Sequence, residues 1–152
     1  MSERSPDGDA CDGFPVSVGI PVRDLLSHGE GAVLLDGLTH LEPGVTARAR
    51  WVPPTRGVWA AEPQLVLLEA WAQVASACWA AARETEAAQH PVIAGLRDVC
   101  LPPTIVGPLE LVVTLERQRS GFAWWRLVAL EGQAVVGKGL LVAGSVAAPR
   151  SP

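Results

Sequence analysis

Glu69, Gln73 and Ser76 are the polar residues of an otherwise apolar run from Leu65 to Ala82, and they fall at i, i+4 and i+7. On a helix that spacing puts the three side chains on one narrow stripe. A carboxylate on such a stripe is expected to sit in a low-dielectric cleft, a setting that suits a general acid. A solvent-facing edge or a satisfied structural acid would leave the same stripe, and structural acids outnumber catalytic ones. Three histidines, His28, His40 and His90, are the side chains able to act as a base near neutral pH. Cys11, Cys78 and Cys100 are odd in number and lack Cys-x-x-Cys spacing, so they read as reduced thiols and no metal site is expected. The chain has no P-loop, Gly-x-Gly-x-x-Gly or Gly-x-Ser-x-Gly, which argues against nucleotide binding and a hydrolase-type serine nucleophile.

The stripe needs a long helix to carry it, and the pattern predicts one over roughly 63–88, with Pro63 in the first turn, where its missing N–H costs nothing. Leu65, Leu68, Ala72, Ala75 and Trp79 make one apolar face and Leu67, Trp71, Val74, Cys78 and Ala81 another, so the helix is buried. Ahead of it, Ala32 to Leu41 reads as a strand and Glu42-Pro43-Gly44 as a turn. Thr46 to Val52 is a second strand, stopped by Pro53-Pro54. Beyond His90-Pro91 come four strand-like segments: Ile93 to Leu101, Leu109 to Gln118, Phe122 to Glu131 and Gln133 to Ala143. Leu109, Leu111, Val113 and Leu115 alternate with Glu110, Val112, Thr114 and Glu116, the period of a half-buried strand. Arg119-Ser120-Gly121 and Glu131-Gly132 are hairpin signals. The element order defines an α+β class, an antiparallel sheet wrapped around one long helix. One domain over 18–145 is expected, between a disordered N-terminal segment, 1–15, and a disordered tail, 146–152.

Composition bounds the partners. Hydrophobic residues make up 49% of the 152 before the 15 glycines are counted, whereas an average domain reaches ~45–50% with glycine included. Charged residues stop at 18%, below the usual ~25%. Too few polar residues remain to cover a small domain, so a second subunit is expected to cover part of it. A net charge of −4 and no run of basic residues argue against a nucleic-acid binder. Met1 to Gly13 is acidic and has no apolar h-region, so no signal peptide is expected; with reduced thiols, this points to the cytoplasm. The Leu65 to Ala82 run is too interrupted for a membrane span.

Three stretches, in order, resemble a known family. Leu67-Leu68-Glu69-Ala70-Trp71-Ala72-Gln73 is similar to the central helix of the FabA/FabZ-type 3-hydroxyacyl-acyl-carrier-protein dehydratases, which have the hotdog fold. Leu25-Leu26-Ser27-His28 followed by Val33-Leu34-Leu35-Asp36 is similar to the family's leucine-proline-histidine opening and first strand, with Ser27 in place of proline. Ala94-Gly95-Leu96-Arg97-Asp98 and Val106-Gly107-Pro108-Leu109 look like the strand and turn that follow the helix. The resemblance spans most of residues 21–143 and implies a dimeric hotdog domain. It also implies lyase chemistry of fatty acid or polyketide biosynthesis, the loss of water from a 3-hydroxyacyl thioester. The substrate would ride on the phosphopantetheine of an acyl carrier protein, with no other cofactor bound. In that family a loop histidine of one subunit removes the C2 proton while the helix acid of the other assists departure of the hydroxyl. The acid matches Glu69, with Gln73 as its helix neighbour.

The histidine has no match: counting back along the family spacing lands on Thr55, within Pro54-Thr55-Arg56-Gly57. Four readings follow. The chain is a dehydratase with a substituted base, His28 being the candidate at a family position, or it supplies Glu69 to a heterodimer whose histidine comes from a related subunit. The dehydratase-like partner proteins of aryl-polyene biosynthesis resemble the second pattern. Otherwise it is a hotdog thioesterase, whose helix acid activates water, or a non-catalytic acyl-binding subunit. Gln64, Trp59, Trp71 and Arg97 are the expected substrate-binding residues: Gln64 at the helix start, the two tryptophans nearest the motif, and Arg97 toward the carrier or the pantetheine phosphate.

Overall fold

Alternating burial along consecutive strands builds a curved sheet whose inner face is closed by a single helix. The structure, a computed structural model, describes residue 21 and residues 34–83 and 89–147. The elements are β1 (Leu38–Glu42), β2 (Thr46–Trp51), a short 3-10 turn (Val58–Ala61), α1 (Pro63–Ala81), β3 (Gln89–Cys100), β4 (Leu109–Arg119), β5 (Phe122–Glu131) and β6 (Ala134–Ala147). The six strands form one antiparallel sheet in the order β1-β2-β4-β5-β6-β3, so β1 and β3 are its edges.

The inner face carries Ala47, Ala49 and Trp51 of β2, Leu111 and Val113 of β4, and Trp125, Leu127 and Ala129 of β5, all buried. The intervening Arg48, Arg50 and Arg126 are exposed on the outer face, as the period of two requires. Against the inner face α1 buries both faces read from its sequence, from Val66 to Trp79, including Leu67, Trp71, Val74 and Cys78. Leu65 departs from that reading and is exposed, because the first turn projects past the cover of the sheet.

Four boundaries differ from expectation by more than one residue. β1 starts at Leu38 rather than Ala32, because the N–H of Leu34 bonds to the Gln73 side chain and the ladder is irregular between Leu38 and His40. The helix ends at Ala81, well short of 88. Its last turn meets the β1–β2 turn, where the Gly44 N–H donates to the Cys78 carbonyl at 2.9 Å, and residues 84–88 lie outside the described part. β3 begins at Gln89 and includes Pro91, which an edge strand tolerates. β6 runs on to Ala147, paired with Gln89, two residues past the expected domain limit at 145.

Gly44 holds the turn against the helix end in a way no side chain could. Its φ is +71°, and an added Cβ would lie 2.8 Å from Cβ of Ala82. Gly44→Ala is expected to cost about 1–3 kcal/mol, from a left-handed backbone plus overpacking. A urea midpoint lower by the corresponding amount checks this; an unchanged midpoint would contradict it.

Candidate active site

The residue that organises the site is Gln73. Its position on α1 follows from the helix spacing, but its burial comes from packing: it is the one buried polar side chain among the described residues. Its Oε1 accepts the N–H of Leu34 at 2.8 Å, across 39 residues of sequence, and its Nε2 donates to Oε1 of Glu69 at 3.0 Å. A buried amide is tolerated only when bonded in this way. The bond from Leu34 fixes which end of the amide is which, so a donor faces Glu69. Glu69, one turn earlier, is half-buried, and so is Ser76. The stripe is thus neither a solvent edge nor wholly interior: its middle member is sealed and ties the helix acid to the segment entering β1.

The other expected residues divide. Gln64 lies in the first turn of α1 and donates through Nε2 to the Pro103 carbonyl at 3.2 Å, linking the helix start to the β3–β4 loop. Trp59, in the preceding 3-10 turn, is 57% exposed beside Val58, exposed like Leu65 of α1 and Val106 of the β3–β4 loop. Thr55, on which the resemblance places the histidine, is exposed ahead of the same turn. Trp71 is fully buried and its indole N–H donates to the Val128 carbonyl at 3.1 Å, so it packs in the helix–sheet core. Arg97 pairs with Leu140, which pairs with Arg126, so its side chain is on the outer face, opposite α1. The sequence showed where Arg97 falls in a strand, but the bulge between Ile93 and Gly95 determines which face it takes.

His28 lies outside the described residues. His40 is exposed on β1 and His90 falls in β3. Among the described residues no group of three His, Cys, Asp or Glu could hold a metal ion, and no helix is long and apolar enough to cross a membrane. Cys78 and Cys100 are free thiols. Burial, with a smaller push from Glu42, raises the Cys78 thiol above its ordinary pKa and outweighs the backbone bonds of Gly44 and Val45.

Gln73→Leu is expected to cost about 1–3 kcal/mol, since the Leu34 N–H loses its acceptor inside the protein and Glu69 loses a donor. The urea midpoint measures this, with Gln73→Glu as a second variant that keeps an acceptor for Leu34 while placing a like charge beside Glu69. Wild-type stability in Gln73→Leu would show that the Leu34–Gln73–Glu69 chain does not hold the segment.

No family model matches the chain, and no curated protein does. Solved structures do. A dehydratase heterocomplex, ApeI:P from Xenorhabdus doucetiae, superposes with a TM-score of 0.70 at 19% identity, over 84% of this chain and 91% of that one. A sigma28-regulated virulence protein from Campylobacter jejuni matches with a TM-score of 0.61 at 17% identity, covering 82% and 87%. A mutant thioesterase from Pseudomonas aeruginosa matches with a TM-score of 0.54 at 12% identity, covering 74% and 81%. At such identities the likeness carries the fold, and that fold agrees with the sheet order and the single enclosed helix. The chain is a hotdog-fold protein. Its structural neighbours include both a dehydratase assembly and thioesterases.

Proposed function

We propose that this chain is one subunit of a 3-hydroxyacyl thioester dehydratase of fatty acid, polyketide or polyene type, supplying Glu69 to a site whose base is a histidine of a second, related hotdog subunit. The observation that carries this reading is the Leu34–Gln73–Glu69 chain, a helix acid held in place and half-buried, beside which the resemblance assigns the base's position to Thr55. In the step, the partner's imidazole takes the C2 proton. The C2–H electrons form the C2=C3 bond, and the C3–O bond breaks as Glu69 delivers its proton to the departing hydroxyl, releasing water. Gln73 holds the carboxyl in place through Oε1.

Two further features support a partner. β3 is a 12-residue edge strand with Val92, Ile93 and Leu96 exposed, an edge that soluble proteins normally pair or blunt. Val58, Trp59, Leu65 and Val106 expose apolar surface around the helix start, the end of α1 nearer Glu69. The heterocomplex among the structural neighbours is an assembly of the kind proposed.

The test is to purify the chain alone, a histidine-bearing homologue alone and the two together, and to follow formation of the enoyl thioester from a 3-hydroxyacyl thioester. Activity that requires both chains is expected. A fully active homologue indifferent to this chain would overturn the proposal, and release of free thiol without enoyl product would select the thioesterase. Turnover by the pure homodimer that vanishes in His28→Ala would select the single-chain dehydratase.

A further inference from the structure

We infer that Cys100 and Lys138 form a self-acylation site on the outer face of the sheet: Cys100 accepts the acyl group of a small, freely diffusing acyl thioester and passes it to the Lys138 amine as an amide. The inference rests on the reading of the chain as one that works on acyl thioesters for its acyl donor alone, and it uses no residue of the Glu69 site. Lys138 is the only lysine of the chain, and Cys100 is a free, exposed thiol. The two are direct partners across β6 and β3. They end a row that crosses the sheet from Arg48 through Val112 and Val128, so both side chains stand on the outer face, and both are exposed. Side chains paired in this way start with their Cβ atoms about 4.5–5.5 Å apart, a gap that a long, flexible amine closes. No ion pair or hydrogen bond engages the Lys138 amine among the described residues.

The strand departs from regular geometry to make this pair. Between Arg97 and Cys100 β3 advances three residues while β6 advances two, from Leu140 to Lys138, and Asp98 within that bulge has a left-handed φ of +50°. Arg97 is on the outer face, so plain alternation would send Val99 outward and Cys100 inward. The bulge reverses them. Val99 turns inward, where its Cγ2 lies 3.2 Å from the place of a Cβ on Gly139, and Cys100 comes out beside Lys138. Re-aiming a side chain is what bulges do, and a non-glycine residue held left-handed is a cost that function can explain. Pairing of the β3 edge with a second subunit engages main-chain groups in the plane of the sheet, whereas this thiol projects from its face.

A thiol exchanges readily with a thioester, and an amine held beside it captures the acyl group as an amide without a second encounter. The Cys100 sulfur bonds to the carbonyl carbon, the bond to the donor sulfur breaks, and the donor leaves as a thiol with the proton that Cys100 gave up. The uncharged Lys138 amine then bonds to the same carbon, the bond to the Cys100 sulfur breaks, and an amine proton returns to that sulfur. Acyl-Lys138, free Cys100 and the donor thiol remain, and the outer face has lost one positive charge.

The experiment incubates the full chain with the N-acetylcysteamine thioester of a short acyl group and follows intact mass, with hydroxylamine treatment to separate thioester from amide and peptide mapping to place the adduct. A hydroxylamine-resistant acyl group on Lys138 is expected. Cys100→Ser is expected to slow its formation at least tenfold, and Lys138→Arg to leave a hydroxylamine-labile acyl group on Cys100. Both substitutions are conservative and exposed, and circular dichroism checks that each variant is folded. Acylation of Lys138 at the wild-type rate in Cys100→Ser would make Lys138 an ordinary surface amine and overturn the inference. An acyl group that stays on Cys100 in the wild type, or no acylation of either residue, would also overturn it. Transfer to Lys138 in a chain that supports no dehydration with any partner would count against the Glu69 reading and leave this site standing; dehydration without transfer would do the reverse.

Discussion

Glu69→Gln is expected to lower kcat for dehydration by the two-subunit enzyme roughly 10²–10⁴-fold, the usual share of a positioned general acid, with KM little changed. The substitution isolates the proton. Glutamine has nearly the shape of glutamate and keeps an oxygen that can accept the Gln73 Nε2–H, a bond of 3.0 Å in the structure, so the connection to Leu34 survives. What disappears is the ability to give a proton to a departing hydroxyl. Steady-state rates of enoyl formation, read beside a thermal melt, separate this loss from a folding defect. Glu69→Asp is expected to fall between the two, because the shorter side chain draws the carboxyl away from Gln73. An undiminished rate for Glu69→Gln would make Glu69 the satisfied structural acid that its stripe also allows.

Trp71→Ala is expected to remove about 3–5 kcal/mol of stability, against a total of ~5–15 kcal/mol for a domain of ordinary stability. Trp71 is fully buried, and the sheet is shaped around it. A Cβ added at Gly137 would come within 3.2 Å of the indole Cη2, 3.3 Å of Pro102 and 3.4 Å of Ala129, so β6 leaves a glycine where the ring lies. Truncation opens a cavity the size of an indole between α1 and β6 and removes the bond to the Val128 carbonyl. Trp71→Phe separates the two contributions: most of the volume stays and the hydrogen bond is lost, at about 0.5–1.5 kcal/mol plus a smaller packing loss. Urea unfolding of both variants checks the ordering. A mild Trp71→Ala with a changed substrate preference would return Trp71 to the acyl-binding wall.

Much of the fold is legible in the residues because its signals are local. The period-two alternation from Leu109 to Leu115 requires a strand with one buried face. Pro63 followed by a nearly all-apolar run requires an enclosed helix, and Ser120-Gly121 requires a hairpin. Boundaries were less legible where a distant partner sets them. The sequence after Ala81 keeps helix-forming residues, but the helix stops where Gly44 bonds to Cys78. Ala32 to Asp36 looks strand-like, yet Leu34 within it bonds to a helix side chain instead of a neighbouring strand.

The candidate site divides along the same line. The i, i+4 spacing of Glu69 and Gln73 already places both on one stripe, and the resemblance already marks Thr55 as the missing base. Whether that stripe is sealed, open or bonded depends on Leu34, which no helical period can bring to Gln73. Arg97 and Arg126 lie far apart along the chain and share one face only because strand register aligns them. Local periodicity therefore determined the elements, the enclosed helix and the helix acid. Tertiary structure alone decided that Trp71 packs in the core and that Arg97 faces outward. The reason is physical: side-chain direction within an element follows from backbone geometry, whereas proximity between elements follows from which strands pair and in what register.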